Sequence, residues 1–405
     1  MDIRSAKNFT PPNRRQFLKL GLQGLSMAGL SATAINSIAR AAGIGIGPAT
    51  RDPKRLVALP GKRPLIQVYD SPPVYETPTG LLIGKEIYPL TDRDAYYVRW
   101  REALIPEIKP EDLRLVVGGD AIVTPRTFTI RELQERFPET SVAAVGACKG
   151  MARGVIRPVL GGVPWGKGDV SAAKWTGIRV KDLLESLGVK DSAIQVAFKA
   201  AGETVAFSEQ EYWRVHGIDE MMRPEPVLAY KMNDAEMPLW NGAPLRLVNP
   251  GEYSPEWVKQ VVRIDVRSKP LKNLWAGKKV GGPDPVKITS ILATPEDDTR
   301  LQAGQEQLLT GVAYDSGIGI AKVEVSTDNG QSWQEAVMEN AYGKYVWRVW
   351  HHRFTPRTTG QLTILSRAIG VTGESQPFEV SEQDIRSHGR RMNSVLAYGT
   401  RIEVV

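Results

Sequence analysis

The chain has 405 residues, 42% hydrophobic and 24% charged, a globular composition with length for two or three domains. Its formal charge of +7 is concentrated at the start, where Arg4, Lys7, Arg14, Arg15, Lys19 and Arg40 face only Asp2, a net +5 that leaves +2 elsewhere. Such a near-neutral remainder gives no electrostatic case for nucleic acid. The single cysteine, Cys148, excludes an intrachain disulfide, a covalent haem, an iron–sulfur cluster and a multi-thiolate zinc site.

In chain order, residues 1–41 have signal-peptide anatomy: a basic start, a mild apolar stretch from Leu20 to about Ala34, and small residues at Ala39 and Ala41. Arg14-Arg15 followed by Phe17-Leu18-Lys19 resembles the twin-arginine signal, which exports proteins already folded and commonly loaded with a cofactor. The expected location is therefore the periplasm. The apolar stretch is too short and polar to span a membrane, and no other segment approaches a span. Residues 42–90, rich in Gly, Pro and Arg, read as an irregular, surface-wrapping arm.

Over 91–280, apolar runs such as Leu113–Val117 alternate with amphipathic segments. A helix is predicted from Thr129 to Phe137 behind a threonine cap, and another over Val180–Leu187. This part reads as an α+β domain. Gly281-Gly282-Pro283-Asp284-Pro285 marks a linker. Over 285–405, strands are predicted at Val286–Ile291, Ala321–Ser326 and Leu362–Ala368. Asp328-Asn329-Gly330 predicts a tight turn, and Trp333, Tyr345, Trp347 and Trp350 stand at roughly strand spacing. The pattern predicts an immunoglobulin-like β-sandwich with the tryptophans in its core. His351-His352 reads as a solvated strand end, and the four histidines lack zinc-like spacing. Gly-x-Ser-x-Gly is absent, which removes nucleophile-elbow hydrolysis.

Cys148 ends the small-residue run Val142-Ala143-Ala144-Val145-Gly146-Ala147 and precedes Lys149-Gly150-Met151-Ala152-Arg153. A strand that delivers a cysteine into a basic, glycine-containing turn favours the thiolate, the form that binds metals. Taken alone, such a cysteine is more often buried filler.

Its surroundings change that balance. The segment from Gly161 to Gly177, with Val163-Pro164-Trp165-Gly166 and Lys174-Trp175-Thr176, comes first. Val227–Asn233, Ala243-Pro244-Leu245-Arg246, Pro250-Gly251-Glu252-Tyr253 and Val258-Lys259 follow in order. This set resembles the sulfite oxidase family, in particular bacterial sulfite dehydrogenase catalytic subunits, from about Tyr96 to the C-terminus. The resemblance implies a molybdopterin-binding domain followed by a dimerisation-type domain, with a molybdenum–molybdopterin cofactor. Cys148 maps to the thiolate metal ligand; Arg153, five residues on, and Arg99 of Tyr96-Tyr97-Val98-Arg99 map to the substrate-anion pocket. Arg246 and Lys259 map to cofactor contacts, as do the positions held here by Arg101 and Asn241. Planar guanidinium donors suit an oxyanion at any relevant pH.

Four departures stand out. Arg101 occupies a position usually held by histidine, and Asn241-Gly242 replaces His-Gly. The segment after Cys148 keeps only its arginine, and Val280 stands where a pocket tyrosine is expected a few residues after Trp275. The resemblance implies oxidation of a small anionic sulfur substrate, sulfite to sulfate first, with electrons leaving to a separate c-type cytochrome and homodimerisation through the C-terminal domain. Oxidation of sulfane sulfur, another sulfur–oxygen transfer, and a metal-free binding module that keeps the fold remain as alternatives.

Overall fold

The computed structural model describes Asp52 and residues 55–101, 105–155, 162–202, 211–271, 285–379 and 394–405. The signal segment, the Gly281–Asp284 part of the linker, Trp275 and Val280 lie outside the described residues.

The expected irregular arm is corrected from residue 55 onward. Strands β1 (Leu56–Val57), β2 (Leu65–Tyr69) and β3 (Val74–Glu76) join β4 (Val98–Arg99) in one antiparallel sheet, in the order β1-β2-β3-β4. Its Leu65, Val68, Val74 and Tyr75 are buried, so this segment is core rather than wrapping. The Gly and Pro content that suggested irregularity belongs to the turns between short strands.

The next region contains β5 (Leu115–Gly118), β6 (Arg126–Phe128), β7 (Thr140–Ala147), β8 (Val170–Arg179), β9 (Gln195–Ala200) and β10 (Trp213–Gly217). It continues with β11 (Val227–Met232), β12 (Ala235–Glu236), β13 (Arg246–Val248) and β14 (Val261–Arg267). One sheet runs β10-β9-β14-β5-β6; a second runs β12-β11-β8-β7, with β13 also paired to β11. Among the described residues helices are few and short: α1 (Ile130–Arg136), α2 (Val180–Leu187) and α3 (Ile218–Met221). Both predicted helices form. Thr129 and Glu132 close a reciprocal capping box on α1, which satisfies two otherwise unpaired N-terminal N–H groups. The apolar side of α2, with Val180, Leu183, Leu184 and Leu187, packs into the core between the sheets.

The C-terminal region has two sheets. Strands β15 (Thr289–Thr294), β16 (Thr299–Leu301), β17 (Gln307–Tyr314), β18 (Ile320–Ser326) and β19 (Gln334–Glu335) are followed by β20 (Val337–Met338), β21 (Arg348–Phe354), β22 (Gly360–Gly370) and β23 (Thr400–Val404). Their orders are β15-β17-β21-β20 and β16-β23-β22-β18-β19, around a core that includes Leu309, Val323, Trp350 and Ile402. Asn329 and Gly330 do adopt positive φ (61° and 92°), but within a loop longer than a tight turn, organised by Asp328 accepting from Ser326 and Ser332. The histidine pair is also corrected. His351 and His352 lie mid-strand in β21, half-buried, with His351 Nε2 2.7 Å from Glu339 Oε1.

The two regions share a core. Met151 and Ala152, just after Cys148, pack with Tyr314, Trp347 and Tyr398 from the C-terminal sheets. Trp347 therefore serves this shared core rather than the sandwich core, and its Nε1 donates to Pro89 O at 2.9 Å. Val145 N donates to Tyr345 O at 2.8 Å, which extends the β7 edge. The turn that carries the cysteine thus rests on the C-terminal region from below.

Candidate active site

Cys148 emerges from the end of β7. Ala147 pairs with Val170 of β8, and Cys148 N donates to Asp169 O at 3.0 Å, so the ladder holds the cysteine backbone up to its last residue. The chain then turns through Ala152 (φ 57°), pinned by Ala152 N to Gly166 O and Gly154 N to Trp165 O, both 2.7 Å. The small-residue run has a steric cause. A Cβ at Gly146 would lie 2.2 Å from Tyr96 Oη, so the aromatic wall reaches the strand only at a glycine. That wall comprises Tyr96 stacked on Tyr97 (centroids 5.2 Å apart) and Trp175 edge-on to Tyr96 (5.7 Å) and to Trp257 (6.1 Å).

Above this wall is a cavity of about 450 Å³. It brings together all seven residues singled out from the sequence: Arg99, Arg101, Cys148, Arg153, Asn241, Arg246 and Lys259. They arrive from distant elements. Arg99 and Arg101 follow from β4, and Arg153 lies in the turn after Cys148. Gly162 has φ 106°, and a Cβ there would fall 2.3 Å from Arg153 Nη1, so glycine at 162 makes room for that guanidinium. Asn241 lies in a 3-10 turn (Leu239–Asn241) that positions its main chain toward Arg246, whose Nη1 donates to Asn241 O at 2.6 Å. Lys259 Nζ donates to Arg99 O at 3.0 Å and to Trp240 O at 2.6 Å, and lies 4.5 Å from the Trp100 ring centroid. Lys62, from the corrected arm, donates to Asn241 Oδ1 at 2.6 Å and to the carbonyls of Arg93 and Tyr96; burial pushes its ammonium down to about 7.

The sequence reading missed part of the wall. Tyr212, Arg214 and Glu256 line the same cavity, as does Lys149, which it noted only as a basic neighbour of Cys148. The available signal was the two-residue alternation of Tyr212, Arg214 and His216, which places the three on one face of an extended segment. Arg214 Nε donates to Tyr212 Oη at 2.8 Å and to Pro255 O at 2.9 Å, and Lys149 Nζ donates to Glu256 Oε1 at 2.7 Å. Beneath, His216 Nε2 lies 3.1 Å from Glu256 O, and its Nδ1 lies 2.9 Å from Glu220.

The electrostatics are one-sided. Five arginines and two lysines line the cavity against one carboxylate, Glu256, among the described lining residues. Burial alone would raise Glu256, but Arg214 and Lys149 outweigh it and hold the carboxyl down at about 2. Behind Cys148, burial together with the nearby Cys148 and Glu76 keeps Asp169 well above the carboxylate range, so it offsets little of the positive charge. Desolvation, with Arg214 and Arg99 nearby, pushes Arg101 down to about 10, still cationic at neutral pH.

This geometry predicts an acid-labile wall. A depressed carboxyl contributes stability that is present above its unfolded value near 4.3 and is lost as pH falls toward about 2. Glu256→Gln should destabilise the fold by about 3–5 kcal/mol, because it leaves buried cations without their counter-charge. Its stability should also flatten between those pH values. Urea unfolding at a series of pH values checks both, and wild-type acid sensitivity in the variant would contradict the assignment.

The donor set also tests which group the cavity could hold. Tyr96 Oη, Trp257 Nε1 and Arg246 Nε are buried lining atoms with no hydrogen-bond partner among the described residues. The Arg246 guanidinium lies 4.7 Å from the Trp175 ring centroid and 5.4 Å from that of Trp257. Buried donors left open, around a single thiol and an excess of cations, fit an acceptor-rich, anionic group bound beside a soft metal.

The comparisons define the class of protein as a molybdopterin-binding oxidoreductase. Residues 102–275 match the oxidoreductase molybdopterin binding domain, and residues 284–394 match the Mo-co oxidoreductase dimerisation domain. The chain belongs to the sulfite oxidase family of molybdenum enzymes, and its cofactor is molybdenum–molybdopterin. It is 28% identical over 336 residues to the mitochondrial sulfite oxidase of Drosophila melanogaster, covering 75% of this chain and 57% of that protein. To the mitochondrial sulfite oxidase of Rattus norvegicus it is 26% identical over 351 residues, 80% of this chain and 63% of that one. The chain thus spans less than two thirds of the length of these relatives. The sulfane dehydrogenase SoxCD from Paracoccus pantotrophus shares the fold, with a TM-score of 0.67 at 21% identity over 87% of this chain and 90% of that one. No helix among the described residues is long and apolar enough to cross a membrane.

Proposed function

We propose that the chain is a periplasmic, molybdenum-dependent oxidoreductase for an inorganic sulfur anion, with sulfite to sulfate as the simplest case. The observation that carries this reading is the position of the only thiol, Cys148, in one cavity wall with five arginines. In net terms sulfite and water become sulfate, two protons and two electrons. The electrons leave one at a time to a separate c-type cytochrome, because the single cysteine precludes a haem attachment site in this chain.

In this reading Cys148 Sγ ligates the metal, and Arg246, Asn241, Lys259 and Arg101 hold the cofactor. When bound, the molybdenum centre supplies oxygen-atom transfer and takes up the electron pair. Arg99 and Arg153 orient the substrate anion and stabilise charge that develops on its oxygens. The aromatic wall backs the site with low-dielectric surface, which strengthens these contacts. The buried open donors favour this account over a metal-free binding module, since without an acceptor they would be a standing cost. We read the C-terminal sheets as an immunoglobulin-like sandwich through which two chains pair.

Steady-state oxidation of sulfite with a c-type cytochrome acceptor, across a salt series, tests this function. An anion-binding pocket predicts a Michaelis constant that rises with ionic strength. Salt-independent turnover of a neutral substrate would contradict it. Export is tested separately. Replacing Arg14 and Arg15 together by lysine should strand cofactor-loaded precursor in the cytoplasm, whereas unchanged periplasmic delivery would point to another route.

A further inference from the structure

The turn that carries Cys148 and Arg153 leans on a strap formed by residues 163–167. Ala152 N donates to Gly166 O and Gly154 N to Trp165 O, both at 2.7 Å, and Val163 O lies 3.5 Å from Arg153 Nη1. The two backbones touch, since a Cβ at Gly154 would fall 2.3 Å from Pro164 O. A shift of the strap is therefore passed directly to the turn. The strap itself is anchored at two points. Gly166 N donates to Glu76 Oε1 at 2.6 Å, which ties it to β3. Lys167 supplies the second anchor, with a side chain only 7% exposed. Its Nζ donates to Gly399 O and Thr400 Oγ1, each at 3.1 Å, and lies 2.8 Å from Asp297 Oδ2. Asp297 Oδ1 in turn accepts from Arg401 N at 3.0 Å, so the carboxylate is fixed to β23. A buried ammonium is costly unless it is paired and hydrogen-bonded, and these partners all come from the C-terminal region.

We propose that Lys167 is a positioning residue through which β23 clamps the strap, and that the clamped strap fixes the turn presenting Cys148 to the metal and Arg153 to the substrate. The C-terminal region thereby takes part in holding the cofactor, in addition to any role in pairing two chains. Lys167 lies outside the cavity wall, so its influence reaches the site through the strap backbone. The consequence for the metal rests on the reading of Cys148 as its ligand.

Two measurements on the full-chain holoenzyme test the clamp: amide hydrogen exchange over residues 148–154, and the rate of molybdenum loss on prolonged dialysis. Lys167→Met keeps an unbranched stem and removes the charge. It should speed exchange across the turn and raise the rate of molybdenum loss by about 10-fold or more, the scale for losing a partner that orients a metal ligand. Asp297→Asn combined with Thr400→Val alters only the C-terminal partners and leaves the strap's sequence intact. This pair should produce the same two changes at roughly threefold, the scale of a partly exposed ion pair, and it decides the matter if Lys167→Met fails to fold. Val323→Ala opens the C-terminal core away from the strap, and it should lower thermal stability while leaving both readouts at wild-type rates. Unchanged exchange in the clamp variants, or equal acceleration in Val323→Ala, would overturn the clamp. Faster exchange with unchanged molybdenum loss would uphold the clamp and count instead against Cys148 as the metal's ligand.

Discussion

Cys148→Ser should abolish turnover and strip the protein of molybdenum while its fold remains intact. The hydroxyl fits the space, since Cys148 is held by its backbone to Asp169 and by packing among Ala144, Ala173 and Trp165, neither of which needs the sulfur. What is lost is the soft thiolate, for which a neutral hydroxyl is a poor substitute at a molybdenum centre. Loss of a partner that only orients a metal ligand costs roughly 10–100-fold, so loss of the ligand itself should exceed that range. Metal analysis, circular dichroism and steady-state kinetics on the same preparation check the three parts. Wild-type turnover in the variant would remove Cys148 from the metal's ligand set.

The second large effect is expected at Arg99. Its position at the end of β4 fixes the backbone through pairing with Val74, and Lys259 holds its carbonyl, so the substitution should leave the wall standing. Arg99→Gln removes a permanent charge that binds the anion in ground and transition states alike. The Michaelis constant should therefore rise by about 10–100-fold, from the loss of a charged hydrogen bond, and kcat should fall by less. The salt dependence of the Michaelis constant should shrink in parallel. An equal fall in kcat and kcat/KM would instead assign Arg99 to the transition state alone.

Much of this site was legible in the sequence only through the family resemblance, whose motifs are carried by short local segments. Cys148 and Arg153 share one turn, Arg99 and Arg101 share one strand end, and Arg246 and Lys259 form a bridge between neighbouring segments. The Thr129–Glu132 capping box announced α1 by itself. What stayed hidden depends on convergence between distant segments. Lys62 reaches Asn241 across 179 positions, and Glu256 lies 107 positions from the lysine it pairs with. Neither has a local signature, since a lone Lys or Glu reads as a solvated charge until burial and a partner are known. The strands between 55 and 90 were concealed by composition. Runs of two to five residues between Gly and Pro turns resemble an irregular arm until long-range pairing with β4 makes them a sheet. Tyr212 and Arg214 were concealed differently: their alternation was visible, but nothing local said which face met the cavity.

The most direct measurement of the central claim is the metal content of the purified wild-type chain, by inductively coupled plasma mass spectrometry with fluorescence detection of the oxidised pterin. The account predicts close to one molybdenum and one pterin per chain, both lost together in Cys148→Ser preparations as the metal dissociates from its cradle. A folded wild-type protein with the pterin and molybdenum both absent after expression in a host that makes the cofactor would contradict it.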